Sequence, residues 1–122
     1  FVLARASEVM KENGIADVSK VGVYGLTYKE DVDDVRESPT LQMLESMERH
    51  LAAGSVRVYD PWVEQDVVPN QVHSMGDFLD GLEMAIVMVG HSQLRNDPSV
   101  LDGLVVLDTR DMCGDGEKVY KL

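Results

Sequence analysis

The chain has 122 residues, 44% of them hydrophobic, which is enough for one domain with a core of its own. Its formal net charge is −11, and so acidic a surface repels phosphate backbones and anionic headgroups, which argues against nucleic-acid and membrane-surface roles. A single cysteine excludes an internal disulfide, as suits a reducing cytoplasm, and no apolar run approaches the roughly 20 residues that a bilayer demands. The chain opens on Phe1 without a secretory leader pattern and reads as a piece of something longer.

Val2, Ala6, Val9 and Met10 recur at helical spacing, and Asn13-Gly14 makes a natural helix end. Residues 20–26 (KVGVYGL) read as a first strand closed by Gly25, and residues 27–38 as a long charged loop. Ser38-Pro39 then marks a helix start, with Ser as N-cap and Pro at the first helical position, where its missing N–H costs nothing. Leu41, Leu44, Met47 and Leu51 carry that helix to Gly54. Residues 55–59 (SVRVY) form a second strand, stopped by Asp60-Pro61. Ser74 to Asp77 has capping-box spacing and opens a short helix through Phe78, Leu79 and Leu82. Residues 84–89 are continuously apolar, as in a strand buried on both faces of a parallel sheet. A helix around 94–101 is interrupted by Asp97-Pro98, 104–108 (LVVLD) is a fourth strand, and 119–122 is a candidate edge strand.

Strands alternating with helices predict a Rossmann-like three-layer α/β sandwich with a mostly parallel sheet, its four main strands in the order 2-1-3-4. Ligands of such sheets sit beyond the carboxyl ends of the strands, where the strand order reverses. The long loop after the first strand exceeds the usual two to six residues or so and is the segment most in need of a task.

No dinucleotide fingerprint follows the first strand: Gly25-Leu26-Thr27-Tyr28-Lys29 is neither GxGxxG nor a P-loop. Asp31, Asp33 and Asp34 invite a metal reading, but Arg36 stands where a calcium loop needs glycine, so no metal site is assigned. Lys29, just past the strand end, can place a charge in the crevice, and Arg36, just ahead of a helix, offers a guanidinium fork to a phosphate. The plainer alternative is a solvated acidic loop whose cations neutralise their neighbours. Arg110 is read either as an anion contact or as a salt-bridge partner of Asp108 or Asp111. Cys113 has no adjacent base and reads as a bystander thiol. His50, His73 and His91 share no ligand spacing and default to surface or loop positions, and Trp62 either caps the sheet or meets a neighbouring domain.

The run 21–29 (VGVYGLTYK) followed by 33–39 (DDVRESP) closely resembles the signature of the C-terminal, UDP-binding domain of the UDP-glucose/GDP-mannose dehydrogenase family. The resemblance continues through Tyr59-Asp60-Pro61, Gly90-His91-Ser92 and Asp108-Thr109-Arg110, and within the family is greatest to UDP-N-acetylmannosamine dehydrogenases. It implies an NAD-dependent, two-step oxidation of a sugar C6 hydroxyl to a carboxylate by a cytoplasmic homodimer engaged in polysaccharide biosynthesis. Residues 1–19 are then the tail of a central helical domain with its linker, and 20–122 the UDP-binding domain. By the same resemblance Tyr28, Lys29 and Arg110 contact the UDP-sugar and Arg36 reaches the NAD pyrophosphate. Most of the NAD site and all catalytic residues lie in preceding domains, so the fragment alone is expected to be inactive. Dehydrogenases of UDP-glucose or GDP-mannose are the near alternatives, and a receiver-like or pure interaction module the distant one.

Overall fold

A computed structural model describes residues 2–36, 38–51, 56–113 and 118–121. Helix α1 (Val2–Glu12) presents Ala6, Val9 and Met10 to the core and ends where Gly14 turns at φ +66°. A single 3-10 turn (Val18–Lys20) leads into β1 (Val21–Tyr24). Helix α2 (Pro39–Leu51) starts as the Ser-Pro pair requires: the Thr40 N–H donates to Ser38 Oγ at 3.1 Å. Strands β2 (Arg57–Tyr59) and β3 (Gln71–Val72) follow, then α3 (Met75–Leu79), whose N-cap Ser74 accepts the Asp77 N–H. Beyond it lie β4 (Met84–Val87), α4 (Ser92–Arg95), a 3-10 turn (Pro98–Leu101), β5 (Val105–Asp108) and β6 (Val119–Lys121).

The strands form one sheet in the order β3-β2-β1-β4-β5-β6, and every pairing is parallel. The expected order of the four main strands is thus observed, flanked by two edge strands. Strict alternation divides the core. Val21, Val23, Met84, Ile86, Val105 and Leu107 face α1 and α2. Tyr24, Tyr59, Ala85, Val87 and Val106 face the other way, against Phe78, Leu94 and Leu101. Three layers result, with every β1, β4 and β5 residue buried. Gly22 is needed on the second face, because a Cβ there would lie 2.6 Å from the ring of the fully buried Phe78.

Some expected boundaries shift. The first strand stops at Tyr24 rather than Leu26, because Gly25 turns the chain at φ +104°. The third stops at Val87, although the apolar run continues to Val89. Helix α3 ends at Leu79, so Leu82 packs from the following turn, where Arg57 donates to the carbonyls of Asp77, Phe78 and Asp80. The two-residue β3 carries too little pattern to be read from sequence. Leu122, Glu37 and the expected helix end at Gly54 lie outside the described residues.

Chain order places the switch point. From β1 the chain moves outward to β2 and β3, then returns to the other side of β1 to lay down β4, β5 and β6. The loops after β1 and β4 therefore flank a crevice at the carboxyl edge.

Candidate functional site

The tightest part of this edge is built around Asp60, which follows β2 and is 1% exposed. Its Oδ2 accepts the Leu26 N–H at 2.7 Å and the Thr27 N–H at 3.2 Å, and its Oδ1 accepts the Trp62 N–H at 2.8 Å. The amides of the turn after β1, which hold a pyrophosphate in dinucleotide-binding folds, are thus occupied by a carboxylate of the same chain. Moreover α2 begins only at Pro39, so no helix N-terminus stands at the end of β1. Among the described residues the turn after β1 therefore forms no dinucleotide cradle.

His91 completes the cluster. Of the surface or loop positions expected for it, it takes the loop after β4, but there it is fully buried, wedged by an edge-on contact with Tyr24. The Asp31 N–H lies 2.8 Å from its Nδ1, and since a backbone N–H can only donate, Nδ1 carries the lone pair. The ring proton is then on Nε2, which faces Asp60 Oδ2 at 2.8 Å and Thr27 Oγ1 at 3.3 Å. Thr27 in turn donates to the Lys29 carbonyl at 2.8 Å. Asp31 adopts the left-handed conformation at φ +58° and is held there from several sides. Its carboxylate accepts the Ser92 N–H at 2.8 Å, the Ser92 hydroxyl, and Trp62 Nε1 at 3.3 Å. The Ser92 contacts keep the Asp31 carboxyl below its ordinary range. Among the described residues every buried side-chain nitrogen and oxygen has a hydrogen-bond partner.

The loop so held displays the residues singled out in the sequence. The Tyr28 N–H donates to the Asp34 carbonyl at 2.8 Å, closing the loop on itself, while the Tyr28 ring is 56% exposed. Lys29 is exposed beside it, and among the described residues its ammonium has no carboxylate partner. Arg36 stands further along, its side chain 87% exposed and forked onto Asp34 at 3.0 Å for both nitrogens. Those hydrogen bonds hold the Asp34 carboxyl down to about 2. In this chain alone Arg36 therefore has the counter-charge role of the plainer reading, with its guanidinium open to a second anion. Trp62 is 46% exposed at the same edge, beyond the strand ends.

Arg110 lies across the crevice. Its Nε donates to the Met88 carbonyl at 2.8 Å, and the alternative salt bridges to Asp108 or Asp111 are instead made by Lys121. Together with Glu30, Gly90, Arg95, Asp111 and Met112 it lines a cleft of about 490 Å³. Arg95, which reading the sequence did not single out, is anchored on the Gly90 carbonyl and brings a second guanidinium to this cleft. Lys29 directly precedes Glu30 on the loop that lines this cleft.

Asp108 organises the loop that carries Arg110. Buried at 1% exposure, it accepts the N–H groups of Arg110, Met112 and Cys113 at 2.7–3.0 Å and the Lys121 ammonium at 2.7 Å. Burial alone would raise its carboxyl, but the Lys121 ammonium and the three amides outweigh that and hold it below the ordinary value. A depressed native value stabilises the fold above the unfolded carboxyl's titration, near pH 3.9, and the gain disappears as pH falls through the native value. Asp108→Asn should therefore lower stability at pH 7 and flatten the acid limb of a plot of urea midpoint against pH. Parallel curves for the two proteins below pH 4 or so would show that Asp108 makes no such contribution. Beside it the Cys113 thiol is pushed up to about 11, by burial first and by the Asp108 charge second, so it is no nucleophile. His73 pairs with Asp66 at the surface, as expected of it, while the His50 side chain lies outside the described residues.

The sequence profile of the UDP-glucose/GDP-mannose dehydrogenase family, UDP binding domain, matches residues 22–115. A UDP-N-acetyl-D-mannosamine dehydrogenase of Methanocaldococcus jannaschii is 26% identical over 137 residues, covering 100% of this chain and 30% of the relative. An NDP-N-acetyl-D-galactosaminuronic acid dehydrogenase of Ralstonia nicotianae is 30% identical over 98 residues, covering 75% of this chain and 22% of the relative. Among solved structures, the UDP-N-acetyl-mannosamine dehydrogenase of Staphylococcus aureus superposes with a TM-score of 0.72 at 30% identity, over 98% of this chain and 30% of that one. The UDP-D-ManNAc dehydrogenase of Pyrococcus horikoshii shares the fold, with a TM-score of 0.74 at 24% identity over 99% of this chain and 29% of that one. The chain thus spans less than a third of the length of these relatives. With its all-parallel sheet and the profile match over nearly all of 20–122, it belongs to the UDP-glucose/GDP-mannose dehydrogenase family, as that family's UDP-binding domain.

Proposed function

We propose that this chain grips the uridine diphosphate half of a nucleotide-sugar, within a cytoplasmic NAD-dependent 6-dehydrogenase of polysaccharide biosynthesis. The favoured substrate is UDP-N-acetylmannosamine, whose C6 hydroxyl becomes the carboxylate of UDP-N-acetylmannosaminuronate. Residues 1–19 are the end of a central helical domain and its linker, residues 20–122 are the UDP-binding unit, and the full-length protein is a homodimer.

The observation that supports this reading best is the concentration of cations at one edge of an acidic domain. Arg95 and Arg110 line one cleft at the switch point, Lys29 stands unpaired among the described residues on the loop beside it, and the net charge is −11. Glu30 and Asp111 share that lining, but Asp111 is already paired with Lys121, which leaves the guanidiniums to meet a diphosphate. Tyr28, Lys29 and Arg110 bind the UDP-sugar, and the exposed Tyr28 ring offers a face to stack on. Arg36 is the one contact offered to NAD, which supplies the oxidising equivalents when bound by the dinucleotide domain that precedes this one. The residues of this chain bind and orient; the nucleophile lies elsewhere.

Lys29→Ala in the full-length enzyme should weaken UDP-sugar binding by about 1.5–3 kcal/mol, the value of a charge-assisted hydrogen bond, and leave NAD binding nearly unchanged. Arg36→Ala should do the reverse, raising chiefly the KM for NAD. Arg36→Lys should recover only part of that loss, because an ammonium cannot fork onto a pyrophosphate. Calorimetry with UDP and steady-state kinetics in both substrates separate these outcomes. Equal rises in both Michaelis constants for either variant would contradict the assignment.

A further inference from the structure

The loop that carries Tyr28 and Lys29 is tied down on both sides of Lys29, and one side chain takes part in both ties. His91 reaches Asp31, two residues beyond Lys29, through Nδ1 at 2.8 Å. Through Nε2 it faces Asp60 at 2.8 Å and Thr27 at 3.3 Å, and Thr27 Oγ1 holds the Lys29 carbonyl at 2.8 Å. Both ends of the 27–31 segment therefore meet on the same imidazole, which follows β4 across the switch point. Buried polar clusters of this kind rigidify what they join, because a half-made set leaves a polar group unpaired in a low dielectric. A neutral ring with the proton on Nε2 is the one state that satisfies the Asp31 N–H and the Asp60 carboxylate together.

We propose that His91 is the positioning residue of the substrate loop, setting where the Lys29 ammonium and the Tyr28 ring stand in the crevice without itself touching the ligand. The inference rests on the reading of Lys29 as a UDP contact. His91 acts as a two-ended spacer between Asp60, which is rigid because it also holds Leu26, Thr27 and Trp62, and Asp31, which is held in an otherwise unfavourable left-handed conformation. Ser92, the next residue, reinforces the same hold from outside by donating its N–H and hydroxyl to the Asp31 carboxylate.

Three substitutions in the full-length enzyme test this. In His91→Gln the side-chain amide nitrogen can replace Nε2 toward Asp60, but the acceptor for Asp31 is lost. In His91→Asn the amide oxygen can replace Nδ1 toward Asp31, but the donor to Asp60 is lost. Ser92→Ala removes one outer hold and leaves the buried cluster whole. Calorimetry with UDP and with NAD, the KM and kcat for the UDP-sugar, and the melting temperature are measured for each, beside Lys29→Ala.

The expected result is a UDP Kd raised about tenfold by His91→Gln with the NAD Kd unchanged, and a KM effect larger than the kcat effect. His91→Asn should melt lower than wild type yet bind UDP more tightly than His91→Gln, and Ser92→Ala should raise the UDP Kd about threefold at a nearly unchanged melting temperature. Should His91→Gln not fold, Ser92→Ala alone decides. Lowered melting temperatures with UDP affinity within twofold of wild type in all three would reduce His91 to a core residue and overturn the proposal. So would parallel loss of UDP and NAD binding, which signals general loosening. If Lys29→Ala itself leaves UDP binding unchanged, the underlying reading of Lys29 fails and the positioning role falls with it. If Lys29→Ala weakens UDP but the His91 and Ser92 variants do not, only the positioning role is lost.

Discussion

Asp60→Ala should destabilise the chain by on the order of 3–5 kcal/mol, at the upper end of what single substitutions do. The carboxylate is 1% exposed and receives four donors: the amides of Leu26, Thr27 and Trp62, and the His91 ring. Truncation strands those donors away from water, at about 1–3 kcal/mol for each that finds no substitute. Water filling the space left by the carboxyl group would recover some of this, which is why the expected total is well below four full penalties. Asp60→Asn is the sharper comparison. Oδ2 alone takes three of the donors, so an amide oxygen placed there turns the amide NH2 against the Trp62 N–H. The isosteric change should therefore still cost about 2 kcal/mol, although it removes no volume. Urea unfolding followed by fluorescence of Trp62 reads both variants. An Asp60→Asn midpoint equal to that of wild type would mean that the four donors are not competing for one charged group.

Much of this cluster was legible only in outline. Asp60-Pro61 and Gly90-His91-Ser92 were visible as strand ends, and the rule for parallel sheets puts strand ends at the ligand edge. What one-dimensional pattern could not supply is the pairing between them. That Asp60 and His91 meet follows from β1 lying between β2 and β4, and a buried histidine differs from an exposed one only by the partners that chain crossing brings to it. Pattern alone accordingly makes Asp60 a strand stop and His91 a surface or loop residue. Arg95 was missed for the same reason: its place in the cleft depends on α4 folding back beside the Met112 loop, and no spacing in the sequence records that.

The sheet was far easier to read. Continuous apolar runs of four to six residues, each followed by a capped helix or a turn, permit few arrangements other than parallel strands with right-handed crossovers. Ser38-Pro39 and Ser74 to Asp77 announced their helices through local chemistry, and the structure confirms both caps. The long loop after β1 was recognised as unusual by length and charge. Its internal order came instead from the left-handed Asp31 and the Tyr28–Asp34 closure, neither of which has a periodic signature.

Gly25→Ala should be at least as damaging as Asp60→Ala, for a reason of space rather than polarity. Gly25 sits at φ +104°, well outside the small left-handed region near +50 to +70° that Asn or Asp tolerate, so even those residues would not fit without moving the backbone. A Cβ at this position would stand 2.7 Å from Val89 Cβ, 2.8 Å from Val89 N and 2.9 Å from Val89 Cγ2. Of those three atoms only Cγ2 would go in Val89→Ala, since alanine keeps its Cβ, and neither the Cβ nor the nitrogen can move without shifting the segment that follows β4. That segment is bound to β1 by the Met88 N–H, which donates to the Tyr24 carbonyl at 2.9 Å, and two residues after Val89 it carries His91. Relief of the collision must therefore part β1 from β4 at the switch point and slacken the Asp60–His91–Asp31 cluster together with the loop it holds. Overpacking with strained backbone places the cost at about 3–5 kcal/mol. The double variant Gly25→Ala/Val89→Ala separates the two contributions. If the Cγ2 contact dominated, trimming Val89 would restore most of the stability lost by Gly25→Ala. If the contacts with Val89 Cβ and N and the positive φ dominate, as the 2.7 and 2.8 Å approaches imply, the double variant should recover no more than about a third and should melt below Val89→Ala alone. Recovery to the level of Val89→Ala would show that the turn tolerates a Cβ and that Gly25 is there only to make room for valine.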